Sequence, residues 1–412
     1  MIFDQRSFDA EEWLGSLDPI GWRFGLGRIQ ALLRELGNPQ LQFESIHVVG
    51  TNGKSSVTTM TAALIEASGR RVGSYLSPHE ERWSERLRLG GNGESPAAFA
   101  EAGTEVAAAA EVVQAGLPAG DSITQFEACT ATAFVALARA RVDFGVIEAG
   151  LGGRLDATNV LDSTATVLTS IGLDHTALLG ETEGEIAAEK LAVLRPGSAL
   201  VLGRLSAEVY ALARGTAAER GCRVLPPAPV SADLNVAAPY LERNVGVALA
   251  ASAVALGAIP SDDVVSRAVS SLRLPGRFDV RSGKPPLILD AAHNPDGAVA
   301  LAEAIKARFA DRVIVGCLAV LADKDAEGIV AALAPVLDRA VCTQIPSARL
   351  QGVGRPGVES VPARELVRIC EAQGVPASGE LDPAIALRRV RELASERDGV
   401  ALITGSHYLL GY

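Results

Sequence analysis

Apolar residues follow two rhythms along this chain. Short continuous apolar runs, bounded by glycine, proline or polar residues, alternate with longer stretches whose apolar positions recur every three or four residues. The short runs predict buried parallel strands, and the longer stretches predict helices covering them. Strands are expected at Ile46–Val49, Arg71–Leu76, Val142–Glu148, Thr164–Ser170 and Ser198–Gly203. Helices are expected at Asp9–Leu17, Leu26–Leu36, Ser55–Ala67, Pro96–Gln114, Thr124–Ala138, Glu181–Leu194, Asn244–Leu256 and Asp262–Ser271. The first two helices meet at Asp18-Pro19, and Gly37-Asn38-Pro39 stops the second. Arg223–Leu234, with Pro226-Pro227-Ala228-Pro229, reads as loop.

The rhythm breaks at Leu272-Arg273-Leu274-Pro275-Gly276-Arg277-Phe278, where Pro-Gly after two helices marks a hinge. Strand and helix then alternate again: Pro286–Asp290, Ala298–Phe309, Arg312–Leu318, Glu327–Leu337, Arg339–Thr343, Arg364–Gln373, Ala384–Arg397 and Val400–Thr404. The pattern predicts two α/β domains, 1–274 and 275–412, each built on a mostly parallel sheet with right-handed crossovers.

Composition narrows the class. The chain has 412 residues, of which 48% are hydrophobic, so a large core can form and global disorder is excluded. A net charge of −11 argues against a general nucleic-acid binder, although a local basic site for a nucleotide needs no such excess. The five cysteines (Cys129, Cys222, Cys317, Cys342, Cys370) form no CxxC pair, so neither a disulfide framework nor a structural zinc site is expected. Met1–Arg6 carries no signal pattern, and no apolar run is long enough to span a bilayer. A cytoplasmic enzyme without a membrane partner is the expectation.

Candidate chemistry starts at Ile46–Val49, which runs through Gly50-Thr51-Asn52-Gly53-Lys54-Ser55-Ser56 into a helix. Strand, Gly-Lys-Ser loop, helix is the layout of a phosphate-binding loop. The first N–H groups of a helix have no partners inside it, and its dipole adds positive charge there. Gly50 and Gly53 permit close approach of backbone to phosphate, Lys54 adds a full charge, and Ser55 or Ser56 can offer a hydroxyl to Mg²⁺. Only Thr51 and Asn52 separate the glycines, where the usual pattern has about four residues. The alternative is a tight strand-to-helix turn with a chance lysine.

The other strand ends weigh against chance. The second predicted strand empties into the polar loop Ser77–Arg86, the third ends at Glu148, and the fourth runs to Asp174-His175. Lys54, Ser77, Glu148 and His175 thus converge on one sheet edge, where ligands of such folds sit. A carboxylate, an imidazole and a hydroxyl suit Mg²⁺ or Mn²⁺ better than zinc. After Glu148, the stretch Ala149–Asn159 holds three glycines with Arg154, Asp156 and Asn159, and reads as a flexible substrate-binding loop. Lys190, taken alone, reads as half of an exposed Glu189–Lys190 pair on a helix. His79 and His407 are not expected to be ligands.

Read in order, Gly50–Lys54, Ser77-Pro78-His79, Glu148–Asn159, Leu173-Asp174-His175, Glu189-Lys190, Pro275–Phe278, Asp290–Pro295 and Leu321–Asp325 resemble the folylpolyglutamate synthase/dihydrofolate synthase family of Mur-type ligases. The resemblance runs from about Gly25 to Tyr408. It implies an N-terminal P-loop ATPase domain and a C-terminal Rossmann-like domain. It implies ATP-dependent addition of L-glutamate to dihydropteroate, to folates or to both, through an acyl phosphate, by a monomer. Lys54 and the loop N–H groups would hold the β- and γ-phosphates. Ser77 and Glu148 would ligate one Mg²⁺, His175 a second, and Lys190 would be carbamylated to join the metal site. Arg277, Asp290, His293 and Asn294 would contact the nucleotide, while Arg154 and Asp156 would lie near the pterin substrate. A Mur-type ligase for another acid and amino acid is the alternative within this class. Ser55 and Ala291 stand where the family usually has glycine, and His407 where apolar residues are commoner.

Overall fold

The computed structural model describes residues 8–18, 25–90, 93–230, 234, 236–352 and 357–412. The expected joint at Pro19 and the N-terminal Met1–Arg6 lie outside these residues. The chain divides into two compact units, Met1–Leu234 with Arg243–Leu272, and Asn235–Glu242 with Arg273–Tyr412.

The first unit is organised by seven strands: β1 (Glu44–Val49), β2 (Val72–Tyr75), β3 (Leu87–Leu89), β4 (Phe144–Glu148), β5 (Ala165–Ser170), β6 (Ala199–Arg204) and β7 (Arg223–Leu225). Their order is β3-β2-β4-β1-β5-β6-β7, and every pair is parallel except β2 with β3. The central strands are apolar on both faces because both are covered. Phe43, Leu87, Phe99, Phe134 and Ile147 belong to one cluster, and Val49, Leu168, Leu191 and Leu202 to another. In the register, Val48 lies opposite Glu148 on one side and Val167 on the other, so the C-terminal ends of β4 and β5 flank the loop that leaves β1.

Helix starts follow local chemistry. The helices Gln125–Arg139 and Glu183–Leu191 each open with a capping box, Thr124 with Glu127 and Thr182 with Glu185. The helix Lys54–Ala67 is entered through Gly53 at φ +84° and has no side-chain cap. Its first turn therefore lacks the closure that the other two carry.

The second unit holds β8 (Asp279–Arg281), β9 (Leu287–Leu289), β10 (Ile314–Leu318), β11 (Arg339–Cys342), β12 (Ala377–Gly379) and β13 (Val400–Thr404). The order is β12-β11-β10-β13-β9-β8, parallel except for β8 against β9. Both units are α/β with mostly parallel sheets.

The sequence expectation lacks the short strands β8 and β12, and three features of the first unit differ from it as well. Arg223–Leu225 is a strand rather than loop, because β6 supplies a pairing edge for a segment with no alternation of its own. Leu87–Leu89 turns back antiparallel on β2. Ala207–Glu219 is a helix started by Ser206, whose hydroxyl accepts the Val209 N–H.

Candidate active site

The loop after β1 is stitched to the end of β5. Thr51 N–H donates to Ser170 O at 2.8 Å, and Asn52 N–H to Ser170 Oγ at 3.0 Å. Thr169 Oγ1 and Ser170 Oγ donate back to Asn52 O at 2.7 and 3.0 Å. The Thr51 hydroxyl bonds Gly172 O and Gly172 N–H, both at 3.2 Å. A Cβ on Gly50 would stand 2.0 Å from Thr169 Oγ1, and the residue sits at φ +150°, so only glycine fits. Lys54 folds over this frame and donates from Nζ to Gly50 O and Thr51 O, each at 3.1 Å.

Glu148 meets the loop at the end of β4. It is 1% exposed. Ser55 Oγ donates to Glu148 Oε1 at 2.9 Å, and Ser77 N–H to Oε2 at 3.1 Å. Of the two serines, Ser55 faces the carboxylate, while Ser56 is buried with its hydroxyl unpartnered among the described residues. Ser77 reaches Glu148 through its backbone.

Lys190 is buried, not half of an exposed pair. Glu189 instead takes three hydrogen bonds from Arg154, one from Nε at 3.0 Å and two from its N–H. Burial, helped by the positive charge of Lys54, lowers the Lys190 pKa from 10.5 to about 7, against the pull of Asp174, Asp156 and Glu189. Asp174 carries His175: its Oδ1 accepts the His175 N–H at 2.9 Å, with His175 held in the left-handed region at φ +51°.

The stretch Ala149–Asn159 is packed rather than flexible. A Cβ on Gly153 would lie 2.7 Å from Glu189 O and 2.8 Å from Lys190 O, and one on Gly150 would lie 2.5 Å from the Phe126 ring. Asp156, expected beside the substrate, is turned inward. Its Oδ2 accepts the Leu151 N–H at 2.8 Å, and its Oδ1 accepts the N–H and hydroxyl of Thr158. A tight turn leaves backbone donors that a buried acceptor must satisfy. Burial raises the Asp156 pKa, and these hydrogen bonds oppose the rise. Arg154 keeps an exposed side chain.

Sequence reasoning missed His47. It is buried in β1, with Nε2 2.8 Å from Thr158 Oγ1, and burial with the Arg195 charge drives its pKa to about 3. The Thr158 hydroxyl donates to Asp156, so Nε2 carries the proton. His79 is likewise structural: its Nδ1 accepts from Arg86 Nε at 2.9 Å, and its ring lies against Trp83.

The remaining expected residues lie in the second unit. Asp290 is buried, with Oδ2 accepting the Tyr240 hydroxyl at 2.7 Å and the Phe278 N–H at 2.8 Å, and Oδ1 accepting the Ala292 N–H at 2.8 Å. Asn294 caps the helix Pro295–Phe309 through the Gly297 N–H. These two side chains support the turn rather than project from it. Arg277 and His293 are half-buried. His293 Nδ1 donates to Ala291 O at 2.9 Å.

The donor set fits a hard divalent cation. Among the described residues no group of three His, Cys, Asp or Glu side chains forms a metal cage. Mg²⁺ needs none, since it usually takes one or two protein carboxylates and completes its shell with phosphate and water. The buried Glu148 carboxylate beside the Ser55 hydroxyl and the phosphate loop meets that requirement.

Residues 276–407 match the family model described as Mur ligase, glutamate ligase domain. The chain is 34% identical to the dihydrofolate synthase/folylpolyglutamate synthase of Mycobacterium tuberculosis, over 92% of this chain and 87% of that protein. The structure of Escherichia coli FolC in complex with DHPP and ADP superposes with a TM-score of 0.84 at 27% identity, covering 98% of this chain and 96% of that one. A bifunctional folylpolyglutamate synthase/dihydrofolate synthase with Mn, AMPPNP and L-glutamate bound gives a TM-score of 0.82 at 28% identity, covering 100% and 98%. No helix among the described residues is long and apolar enough to cross a membrane.

Proposed function

The chain belongs to the dihydrofolate synthase/folylpolyglutamate synthase family of ATP-dependent ligases, and from that membership we propose that it joins L-glutamate to both dihydropteroate and folates. The observation that carries this beyond simple ATP hydrolysis is Lys190, buried beside the phosphate-loop lysine with its pKa near 7. A nucleotide switch has no use for such a group. A ligase that must hold cations against a transferring phosphoryl group and then an acyl phosphate does, because a neutral amine there can be carbamylated to an anionic metal ligand.

The γ-phosphoryl group passes to the substrate carboxylate with loss of ADP. The amine of L-glutamate then attacks the acyl carbon, and phosphate leaves. Lys54, held across Gly50 and Thr51, would direct its ammonium to the β- and γ-phosphates, and the first turn of its helix, without a side-chain cap, would supply N–H groups. Glu148 with Ser77 and Ser55 would hold one Mg²⁺, and His175 with carbamylated Lys190 a second; bound there, the ions neutralise phosphate oxygens as charge develops. Lys54 disfavours the ammonium form of Lys190 and so favours the neutral amine, and it would attract the anion that carbamylation makes of that amine. Arg154 offers its exposed guanidinium to the acid substrate, and Asp156 acts by holding the loop. Arg277, His293 and the turn braced by Asp290 and Asn294 are assigned to the nucleotide. The same proposal makes residues 1–274 the ATP-binding domain and 275–412 the ligase domain of a monomeric cytoplasmic enzyme.

The test is phosphate release with ATP, Mg²⁺ and L-glutamate, with dihydropteroate or tetrahydrofolate as acceptor. Turnover with both is expected, and Lys54→Ala should abolish it while the protein stays folded. Activity with neither acceptor would overturn the reading.

A further inference from the structure

The turn after β13 carries a residue with no part in the scheme above. Gly405 sits at φ +99°, and a Cβ there would be 2.5 Å from Ala319 O, so the backbone passes tightly over β10's exit. Gly405 N–H donates to Ala292 O at 3.1 Å, tying this turn to the one that presents His293. Ser406 closes the turn by accepting the Tyr408 N–H. His407 is thereby fixed beside His293, with ring centroids 5.5 Å apart.

His407 Nε2 lies 3.2 Å from Arg277 Nη2. A guanidinium can only donate, so His407 accepts, and its ring is neutral with the proton on Nδ1. Arg277 Nη1 donates to Gly276 O at 3.0 Å. Among the described residues, two of the five side-chain N–H groups of Arg277 are thus anchored inside the second unit, and three remain for a ligand. An arginine left unanchored would lose side-chain entropy each time it closed on a phosphate.

We propose that His407 is a positioning residue: its Nε2 lone pair presets the Arg277 guanidinium for the anionic nucleotide. This rests on the assignment of Arg277 to the nucleotide made above. His407 touches no reacting atom in this scheme. It acts through Arg277 alone, so its loss should appear in nucleotide affinity and not in affinity for the amino acid.

The experiment compares His407→Leu, His407→Gln, Arg277→Ala and the Arg277→Ala/His407→Leu double variant in the full chain. KM for ATP, KM for L-glutamate and the Kd of Mg²⁺-ADP are measured for each. His407→Leu should raise KM for ATP and Kd for ADP about three- to tenfold, the range expected for one immobilised side chain. KM for L-glutamate should not move. Glutamine can place its amide oxygen near the position of Nε2, so His407→Gln should return KM for ATP to within about twofold of wild type. The double variant should be no weaker than Arg277→Ala. If Arg277→Ala weakens ATP while His407→Leu does not, or if the Gln and Leu variants are equally impaired, His407 only fills space and the inference fails. If Arg277→Ala leaves ATP affinity intact, the nucleotide assignment of Arg277 itself is wrong.

Discussion

Lys190 gives the sharpest test of the site. A carbamate forms only from the neutral amine, as R–NH₂ + CO₂ → R–NH–COO⁻ + H⁺. An ordinary lysine with pKa 10.5 is about 0.1% neutral at pH 7.5. With its pKa lowered to about 7, Lys190 is about three-quarters neutral at that pH, a gain of nearly three orders of magnitude. The sign follows from the depressed value: the reactive form is present above pH 7 and is lost as pH falls through it. Between pH 8.5 and pH 6 the neutral fraction drops about tenfold at constant dissolved CO₂, and release of a proton on carbamylation pushes the same way. Asp174, Asp156 and Glu189 oppose another negative charge nearby, so added Mg²⁺ should increase the carbamate. The assay is ¹³C NMR of the protein in ¹³C-bicarbonate, with Lys190→Ala as the control spectrum. One carbamate resonance is expected at pH 8.5, larger with Mg²⁺, small at pH 6 and absent from the variant. A spectrum indistinguishable from that of Lys190→Ala at pH 8.5 with Mg²⁺ would refute the reasoning.

Other expectations follow from the same contacts. Ser55→Ala removes a donor from a buried carboxylate, a loss of about 1–3 kcal/mol, so kcat/KM should fall about tenfold or more with a raised Mg²⁺ requirement. Ser56→Ala deletes a buried hydroxyl with no partner among the described residues and should leave activity within about twofold; equal losses at the two positions would reverse the assignment. Gly153→Ala forces a methyl against the backbone of Glu189 and Lys190, which should cost about 2 kcal/mol and lower Tm by roughly 4–8 °C, read by calorimetry.

The strands around the site were legible because their apolar runs and terminal polar residues are local signals. Ile46–Val49, the end at Glu148 and the helix after Lys54 all stand where the pattern put them. Residues whose roles depend on distant partners were not legible. The glycines of Ala149–Asn159 suggested mobility, yet Gly150 and Gly153 exist because Phe126 and the Lys190 helix come within contact of their backbone. Lys190 follows Glu189 in sequence, but Arg154 claims Glu189 and leaves Lys190 inside. The run Ser77–Arg86 read only as a polar loop, with no sign of what its charges bind. In the fold, Glu85 accepts the N–H groups of Glu80, Glu81 and Arg82, Glu11 accepts those of Trp83 and Ser84, and Arg86 is buried on Trp83 and His79. His47 gave no signal, because a histidine in an apolar strand looks the same whether or not a threonine awaits it. Asp174-His175 pointed to work for β5 beyond packing, and the polar pair Thr169-Ser170 closing its apolar run is a second local hint of it.

The stitching of Gly50–Asn52 to Thr169, Ser170 and Gly172 changes what counts as the transplantable unit of this site. Grafted onto another sheet as a seven-residue cassette, Gly50–Ser56 would arrive without the neighbouring strand end that fixes its carbonyls, and Lys54 would lose the frame it folds across. A designer would need to carry two adjacent strand termini and keep their parallel register, Val48 against Val167. The heritable module is therefore a pair of neighbouring strands far apart in the chain, which ties recombination breakpoints in this fold to the sheet rather than to the motif.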